Sequence, residues 1–229
     1  MTRDTLKKLC GDVIACERCP RLVKYRAEIA RTKRRAYRDW EYWGKPVPGF
    51  GDPCARLLII GLAPAAHGGN RTGRVFTGDS SGDLLFHTLF ETGFASQPYS
   101  ISRDDGMELK DAYITATVRC APPENKPLPA ESRHCREYLE REIALLKDVK
   151  VVVALGKIAF DAYLSILQSK GLIASRSKYR FGHAARYHFP APLPVLMASY
   201  HPSRQNTQTG RLTSKMFRDV FWLAGKHLK

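Results

Sequence analysis

A glycine-rich stretch, residues 61–83, brings an acid and two hydroxyl groups to the end of a long loop. It contains six glycines and carries Asp79-Ser80-Ser81 just where a helix is predicted to begin. Glycines let the backbone approach a ligand closely and adopt positive φ angles. A loop that only joined two elements would rarely need this length or composition. We therefore expect residues 61–83 to form part of a ligand-binding site.

Four of the six cysteines have a spacing that suits a shared metal centre. Cys16 and Cys19 form a C-x-x-C pair, and Cys120 and Cys135 lie fifteen residues apart. Four thiolates suit either a tetrahedral zinc ion or an iron–sulfur cluster, and the spacing does not separate the two. Free thiols in the core are the alternative, because the second pair is not another C-x-x-C. The other two cysteines, Cys10 and Cys54, are interpreted as bystanders.

The elements that must position these groups alternate between strand and helix. Apolar patterns predict strands at 56–62, 112–115, 151–155 and 194–199, with helices at 80–93, 131–147, 157–168 and 212–227. The run from Val151 to Leu155 is continuously apolar, which is typical of a strand buried on both faces. Four alternations indicate a parallel sheet covered by helices on both faces. The loops after the strands would then meet at one edge of the sheet.

The N-terminal quarter is predicted to differ from this core. Residues 2–16 have a helical apolar pattern, whereas residues 20–55 are basic, aromatic and irregular and are interpreted as an arm over the core. We expect one domain over residues 1–229, with the N-terminal helix and arm in 1–55 and the α/β core in 56–229. A centre built from the four cysteines would tie the N-terminal helix to the middle of the sheet.

The chain is strongly basic, with 37 Lys and Arg against 22 Asp and Glu, a net charge of +15. Residues 18–45 hold ten basic and three acidic side chains, and residues 169–211 hold seven basic and no acidic ones. This excess favours nucleic acid as a partner, although a solvated basic surface would have the same composition. No apolar run reaches the ~20 residues of a membrane span, and no signal peptide is recognised. With six cysteines, this predicts a reducing compartment, the cytoplasm. We also expect a monomer.

Three segments at the predicted sheet edge resemble the uracil-DNA glycosylase superfamily, and most of all its family 5, the iron–sulfur branch. The segments are residues 61–65 with 73–79, residues 120–127, and residues 201–207, within matches that run in the family's order from Cys16 to Leu212. The resemblance implies a three-layer α/β/α sandwich around a four-stranded parallel sheet. It also implies a 4Fe-4S cluster on Cys16, Cys19, Cys120 and Cys135, with zinc as the less favoured alternative.

The function implied is DNA repair. A member of this family would flip uracil, or another deaminated base such as hypoxanthine, out of DNA and hydrolyse its N-glycosidic bond. Other members place Asp, Asn or Glu at the second or third position of the first motif, whereas Leu62 and Ala63 are apolar. Family 5 is known for this absence, and the resemblance moves the catalytic role to Asp79. An N-cap role for the same carboxylate is compatible with catalysis.

The resemblance also implies roles around the flipped base. His201 is expected to donate a hydrogen bond to the carbonyl oxygen of the departing base, and Phe76 to stack on the base. Asn125 is expected to read the base edge or hold the attacking water. The plain alternatives are a histidine satisfied by the backbone, a core phenylalanine and an ordinary loop residue. Further base-binding residues are expected at Ala63, His67 and Asn70.

Contacts to DNA are expected from the loop after the last strand. Because C1′ cannot be reached inside a stacked duplex, the nucleotide must be flipped out, and residues 203–213 are expected to enter the gap. The expected wedge or gap-filling residues are Gln205, Asn206 and Leu212, and the expected phosphate contacts are Arg204 and Arg211. The basic arm at 18–45 would add salt-sensitive affinity that does not depend on sequence.

Two other classes of protein are weighed against this one. A non-enzymatic nucleic-acid-binding module with a zinc site would explain the charge and the cysteines, but not the polar loops at three strand ends. A nucleotide hydrolase is weaker still, because the chain has no G-x-x-x-x-G-K followed by Ser or Thr.

Overall fold

Six strands form one mixed sheet at the centre of the protein, whose computed structural model describes residues 4–229. The strands are β1 (Phe50–Gly51), β2 (Leu57–Gly61), β3 (Ala112–Ala116), β4 (Val151–Leu155), β5 (Arg186–Tyr187) and β6 (Val195–Ser199). Their order across the sheet is β1-β3-β2-β4-β6-β5. The four central strands are parallel, as predicted. The two edge strands pair antiparallel and were not predicted, because two residues are too few to leave an apolar pattern.

The register aligns the ends of the parallel strands. Gly61 at the end of β2 lies beside Ala116 at the end of β3, and Leu155 at the end of β4 lies beside Ser199 of β6. Every residue of β2, β3 and β4 is buried, as expected for strands with helices on both faces. The loops that leave these strands therefore begin side by side at one edge of the sheet.

The helices lie close to their predicted positions in the core. Within residues 4–229 they are α1 (Leu6–Ile14), α2 (Pro20–Thr32), α3 (Gly69–Thr72), α4 (Ser80–Glu91), α5 (Pro129–Leu145), α6 (Lys157–Ser169), α7 (Arg204–Gln208) and α8 (Ser214–Lys226). Of the helices described in that range, none combines the length and the apolar character needed to cross a membrane.

Helices cover both faces of the sheet and give the expected α/β/α layers. On one face, Phe86 of α4 and Phe217 of α8 belong to the same buried apolar cluster as Ile59. On the other face, Phe160 of α6 packs in a cluster with Leu58. Neighbouring residues of β2 thus serve opposite layers, because successive side chains of a strand point to opposite faces.

The N-terminal segment is partly as predicted. The expectation of an irregular chain over residues 20–55 is wrong for its first part, which forms helix α2. The buried residues of α2 are only Leu22 and Arg26, a stripe too narrow and too polar to show as apolar periodicity. The rest lies over the core as predicted, and the backbone N–H of Trp43 donates to the carbonyl of Arg71 at 2.9 Å.

A buried ion pair ties the loop after β3 to α5. Arg119 and Glu142 are each 1% exposed, and their closest nitrogen and oxygen atoms lie 2.5 Å apart. Glu142 also accepts a hydrogen bond from the hydroxyl of Thr115. Removing one partner of such a pair leaves an uncompensated buried charge, which typically costs about 3–5 kcal/mol. The pair therefore fixes the backbone immediately before Cys120.

Candidate active site

The longest loop at the sheet edge runs from Leu62 to Asp79, between β2 and α4, and contains the short helix α3. It folds back so that the ring of Phe76 lies on Gly61. A β-carbon at position 61 would come within 2.6 Å of that ring. Glycine is therefore required here, because any side chain would push the aromatic ring out of the site.

Asp79 ends this loop and caps helix α4. Its Oδ1 accepts hydrogen bonds from the backbone N–H groups of Ser81 at 2.9 Å and Gly82 at 3.1 Å, the arrangement of an N-cap. Its Oδ2 lies beside Gly68 and accepts no hydrogen bond within residues 4–229. Burial raises the pKa of Asp79, and the two N–H groups act in the opposite direction. One oxygen is thus fixed by the helix while the other is available.

Phe76 and His201 are far apart in sequence and stack in the site. Their ring centroids lie 5.8 Å apart with an interplanar angle of 29°. Phe76 has a φ of 53°, a costly conformation for a residue with a side chain and one often found at functional sites. Each stacked contact needs about 3.5–4 Å, so a base does not fit between these two rings as they stand. A base would bind against the pair or displace one ring.

His201 begins the loop after β6. Burial lowers the pKa of its imidazole to about 4, so the ring is neutral at neutral pH. The carbonyl of His201 accepts a hydrogen bond from the side-chain amide of Asn206 at 2.9 Å, which links two predicted site residues. A neutral imidazole carries one N–H donor and one acceptor nitrogen. It can therefore donate to a carbonyl oxygen without bringing a charge into the site.

A cavity of about 290 Å³ opens beside His201 at the ends of β4 and β6. Its walls include Leu62, Gly156, Tyr200 and Arg211, whose guanidinium lies 4.5 Å from the centre of the Tyr200 ring. The volume is near the lower limit of small-molecule sites. Apolar walls with a neutral imidazole at one end suit a flat, uncharged heterocycle.

A second cavity, of about 220 Å³, lies away from these loops, between α5, α6 and residues 192–194. It is lined by Leu58 and Val152 near the opposite ends of their strands. None of the predicted site residues lines it, so it is not part of this site.

The other predicted residues of the first loop take different positions. His67 is half-buried, with its Nδ1 3.0 Å from the hydroxyl of Tyr42, and burial lowers its pKa. Asn70 is buried and donates from its amide to the carbonyl of Arg26 at 3.2 Å. Ala63 packs on the buried cysteines described below. His67 and Asn70 thus hold the N-terminal segment on the loop, and their contact with a base stays a prediction.

Asn125 lies in a 3₁₀ turn, Pro123–Asn125, and its side chain is exposed. Glu124 and Asn125 both have positive φ angles, 54° and 57°. Two consecutive residues with side chains rarely adopt this conformation, although asparagine tolerates it better than most. The turn presents the amide of Asn125 at the surface after β3, and its catalytic role stays a prediction.

Sequence reasoning did not single out Arg71, which is a central contact of the first loop. Its guanidinium lies 4.0 Å from the ring centre of Tyr37 and 4.1 Å from that of Trp40. It also donates to the carbonyls of His67 and Gly78, at 2.8 and 2.9 Å. Arg71 therefore clamps both ends of the loop to the N-terminal segment. The basic, aromatic composition of that segment was the available signal, because such pairs are typical cation–π partners.

The four predicted metal ligands come together although they are far apart in sequence. Cys19, Cys120 and Cys135 are buried in one small cluster, and Cys16 lies at the edge of the neighbouring one. Burial, with a smaller contribution from the other thiols, raises the pKa of Cys19 to about 11 and that of Cys120 to about 12. The sulfur atoms are thus within electrostatic reach of one another. All six cysteines are free thiols.

The surroundings of the thiols fit an anionic group. Arg26 is 5% exposed, its charge lowers the pKa of Cys120, and its Nε has no hydrogen-bond partner among the residues that the structure describes. The Nδ1 of His134 lies 3.4 Å from the sulfur of Cys19. In the described part of the chain, no three His, Cys, Asp or Glu side chains are arranged to hold a single metal ion. Four thiols near a buried cation are nevertheless the donor set that iron–sulfur clusters take.

The predicted DNA contacts after β6 divide into surface and core residues. Arg204, Gln205 and Arg211 are exposed, and the Nε of Arg204 donates to the hydroxyl of Ser80 at 3.1 Å. The side chain of Leu212 is 1% exposed and belongs to the core of this structure, and its role as a wedge or gap-filling residue stays a prediction. The apolar residue that ends this polar loop begins the packing of α8 and does not face the solvent.

The α/β/α fold agrees with the expected fold of a DNA glycosylase, and comparison with known families identifies the class of protein. The profile of the Uracil DNA glycosylase superfamily matches residues 48–223. The chain therefore belongs to this superfamily and is a DNA N-glycosylase. Because the superfamily consists of enzymes, the alternative of a non-enzymatic nucleic-acid-binding module is set aside.

Individual relatives agree with the expected branch. The chain is 53% identical over 209 residues to a type-5 uracil-DNA glycosylase of Thermus thermophilus, and the aligned region covers 90% of each protein. It is 46% identical to a type-5 uracil-DNA glycosylase of Pyrobaculum aerophilum, covering 91% of this chain and 87% of the relative. Identity falls to 26% with a type-4 uracil-DNA glycosylase of Sulfurisphaera tokodaii, where the aligned region covers 96% of this chain and 86% of the relative. The chain is thus similar to type-5 enzymes over nearly its whole length.

Proposed function

We propose that this protein is a repair enzyme that removes uracil from DNA by hydrolysing the N-glycosidic bond, with Asp79 as the catalytic carboxylate. The observation that carries the assignment is the division of labour between the two oxygens of Asp79. Oδ1 is held by two backbone N–H groups, while Oδ2 has no partner within residues 4–229. A carboxylate fixed in this way can face the substrate without reorganising when the reaction begins.

The reaction places opposite charges on the sugar and the base. Breaking the bond gives an oxocarbenium-like sugar that is positive at C1′, and negative charge builds up on the departing base. Asp79, ionised above its raised pKa, stabilises the sugar cation and positions the attacking water. The C1′–N bond breaks and the water adds to C1′; the proton that the water loses ends on the base anion, which gives an abasic sugar and the free neutral base.

His201 serves the departing base. Because burial lowers its pKa to about 4, the imidazole is neutral and donates an N–H to the base carbonyl oxygen as charge develops. Phe76 supplies an aromatic face for the flipped base, and this contact requires the outer face of its ring or a shift of His201. Asn125, exposed in its turn, reads the base edge or holds the water.

The pocket also favours a wider range of bases. Leu62 and Ala63 occupy positions where a polar side chain would restrict the base, and Leu62 lines the cavity beside His201. Apolar walls discriminate weakly between heterocycles, because they leave no polar group that only one base can satisfy. Hypoxanthine is therefore proposed as a second substrate.

Cys16, Cys19, Cys120 and Cys135 are proposed to hold a 4Fe-4S cluster. The burial of three of these thiols and the unpartnered Nε of Arg26 among them support the assignment. When bound, such a group would cross-link the α1–α2 connection to β3 and α5. Arg26, which lies beside the thiols, accepts a hydrogen bond at its backbone carbonyl from the side chain of Asn70. The region around the cysteines therefore supports the loop that carries Asp79.

The test separates the carboxylate of Asp79 from its capping role. Asn caps a helix as well as Asp does, so Asp79→Asn should keep the stability of the protein, whereas Asp79→Ala should lose about 1 kcal/mol. Both variants should release uracil from duplex DNA about 10²–10⁴-fold more slowly in single-turnover assays. Uracil release by Asp79→Asn at the wild-type rate would remove Asp79 from the mechanism, and no release by the wild type would refute the function.

A further inference from the structure

We propose that the loop of residues 97–105 is a second DNA-contacting element, in which Ile101 acts as a wedge and Tyr99 as a stacking platform beside the flipped nucleotide. Tyr99 is 63% exposed and Ile101 60% exposed, whereas Ser100 between them is 3% exposed. The proposal rests on the proposed function, because it takes the Asp79 loop as the place of reaction.

The 97–105 loop is rigidly held, so this exposure is built into the fold. Oδ2 of Asp105 accepts hydrogen bonds from the backbone N–H groups of Ile101 at 2.7 Å and Ser102 at 3.2 Å. Oδ1 of Asp105 lies 2.6 Å from the guanidinium of Arg74, which is itself 3% exposed. A buried ion pair thus anchors the base of the loop and leaves its two large apolar side chains in solvent.

The same loop is attached to the catalytic segment. The carbonyl of Ser100 accepts a hydrogen bond from the N–H of Gly78 at 3.1 Å, and its hydroxyl lies 2.7 Å from that of Thr77. Gly78 directly precedes Asp79. Tyr99 and Ile101 therefore lie on either side of Ser100, which is hydrogen-bonded to the residue that precedes the proposed catalytic carboxylate.

The chemistry of the loop fits DNA. Single exposed apolar residues are ordinary, but two on one rigid loop at a reaction edge call for a partner. Proteins that distort DNA insert side chains such as isoleucine between base steps, and aromatic side chains stack on exposed bases. Arg103 of the same loop lies 4.7 Å from the centre of the Trp43 ring and pairs with Asp104 at 3.7 Å, so the contact proposed for this loop is apolar and not electrostatic.

The structure also leaves a need for such a wedge. Leu212, the apolar candidate in the loop after β6, is buried in the core. The exposed residues of that loop, Gln205 and Arg211 among them, are polar or charged. A duplex that has lost one stacked nucleotide presents apolar base faces, and Tyr99 and Ile101 offer a matching surface beside Thr77 and Gly78, the two residues that precede Asp79.

The first test compares a Tyr99→Ala/Ile101→Ala double variant with the wild type. Affinity for uracil-containing duplex DNA, and single-turnover release from it, should fall about fivefold or more. Release from single-stranded DNA should fall less, because fewer stacked contacts must be broken. The control is Trp222→Ala, which removes an equally exposed aromatic side chain from α8 and should change neither quantity. Tyr99→Phe should behave like the wild type.

The second test needs no variant and guards against a misfolded one. Duplex DNA with 5-iododeoxyuridine next to an uncleavable 2′-fluoro deoxyuridine is irradiated in complex with the wild-type protein, and crosslinked peptides are mapped. A crosslink at Tyr99 is expected. Crosslinks confined to residues 203–211, or unchanged binding and release by the double variant, would overturn the proposal and leave the exposed pair to a protein partner. Wild-type protein that binds DNA through Tyr99 but releases no base would refute the proposed function alone.

Discussion

Gly68 lies directly against the carboxylate of Asp79, so that a β-carbon added to Gly68 would overlap Oδ2 of the acid. The two residues are eleven positions apart, with Gly68 inside the loop and Asp79 at its end. The acid cannot easily yield, because its other oxygen is held by the N–H groups of Ser81 and Gly82. The absence of a side chain at position 68 thus defines the space in which the proposed catalytic oxygen lies.

Gly68→Ala should therefore lower activity although it replaces no catalytic residue, because its β-carbon would displace the carboxylate of Asp79. The φ of Gly68 is −101°, outside the left-handed region, and the nearest atom that an added β-carbon would meet is Oδ2 of Asp79. A displacement of this kind can cost about a hundredfold in rate. The measurement is single-turnover release of uracil, with Gly11→Ala as the control. Gly11 lies in α1 with open space around its Cα, so its substitution should stabilise the helix by up to about 1 kcal/mol and leave the rate unchanged. A Gly68→Ala enzyme with the wild-type rate would contradict the assignment of Oδ2.

The pH dependence of base release should follow Asp79 and not His201. Burial raises the pKa of Asp79, so the active carboxylate forms, and the rate rises, as the pH increases through that raised pKa. Burial lowers the pKa of His201 to about 4, so no step is expected near the ordinary histidine pKa of about 6.5. A profile from about pH 5 to about pH 9 measures this. The residual activity of Asp79→Asn should lack the rise, and a rise of the same size in that variant would assign it to another group.

The same histidine should make the fold sensitive to acid. Its pKa in the folded state, about 4, lies below its value in the unfolded chain, so the unfolded state binds the proton more tightly. The stability from neutral His201 is therefore complete above about pH 6.5 and is lost as the pH falls towards about 4. Thermal unfolding at several pH values should show this loss, and His201→Gln should reduce it. An unchanged acid dependence in that variant would place the effect elsewhere.

The cysteine assignment predicts a spectroscopic difference between two single substitutions. Cys135 is buried among the proposed ligands, whereas Cys54 is exposed and outside them. Cys135→Ser should lose bound iron and the absorbance at about 400 nm that iron–sulfur clusters show, and should unfold at a lower temperature. Cys54→Ser should match the wild type in all three. Wild-type protein that contains zinc and no iron would support the tetrahedral alternative instead.

The basic N-terminal segment should contribute affinity that does not depend on the base. Arg34, Arg35 and Arg38 are exposed, and none of them forms an ion pair within the described residues. Replacing all three by alanine should weaken binding to uracil-containing and normal duplexes equally and lower the salt slope by about two to three. Lys147→Ala/Lys170→Ala, at the cavity away from the site, is the control and should leave the slope unchanged. Loss of affinity for the uracil-containing duplex alone would contradict a phosphate-contacting role.

The core of the fold could be predicted from sequence because its signals are local. A continuous run such as Val151 to Leu155 has few alternatives to a strand buried on both faces, and the alternation with helices implies a parallel sheet. Parallel strands bring their following loops to one edge, which is why Asp79 and His201 could be expected in one site. Helix α2 was missed because its buried face contains Arg26, whose burial depends on the cysteines around it.

The sequence alone determined which residue types are available: an acid at the end of a glycine-rich loop, a histidine after the last strand, and four spaced cysteines. The tertiary structure decided which atoms face the site. It buried Leu212, placed Asn70 on Arg26, packed Arg71 against the rings of Tyr37 and Trp40, and left Tyr99 and Ile101 in solvent. These outcomes depend on contacts between segments far apart in the chain. The local sequence pattern carries no information about such contacts. The same apolar side chain is buried or exposed depending on which distant segment packs against it.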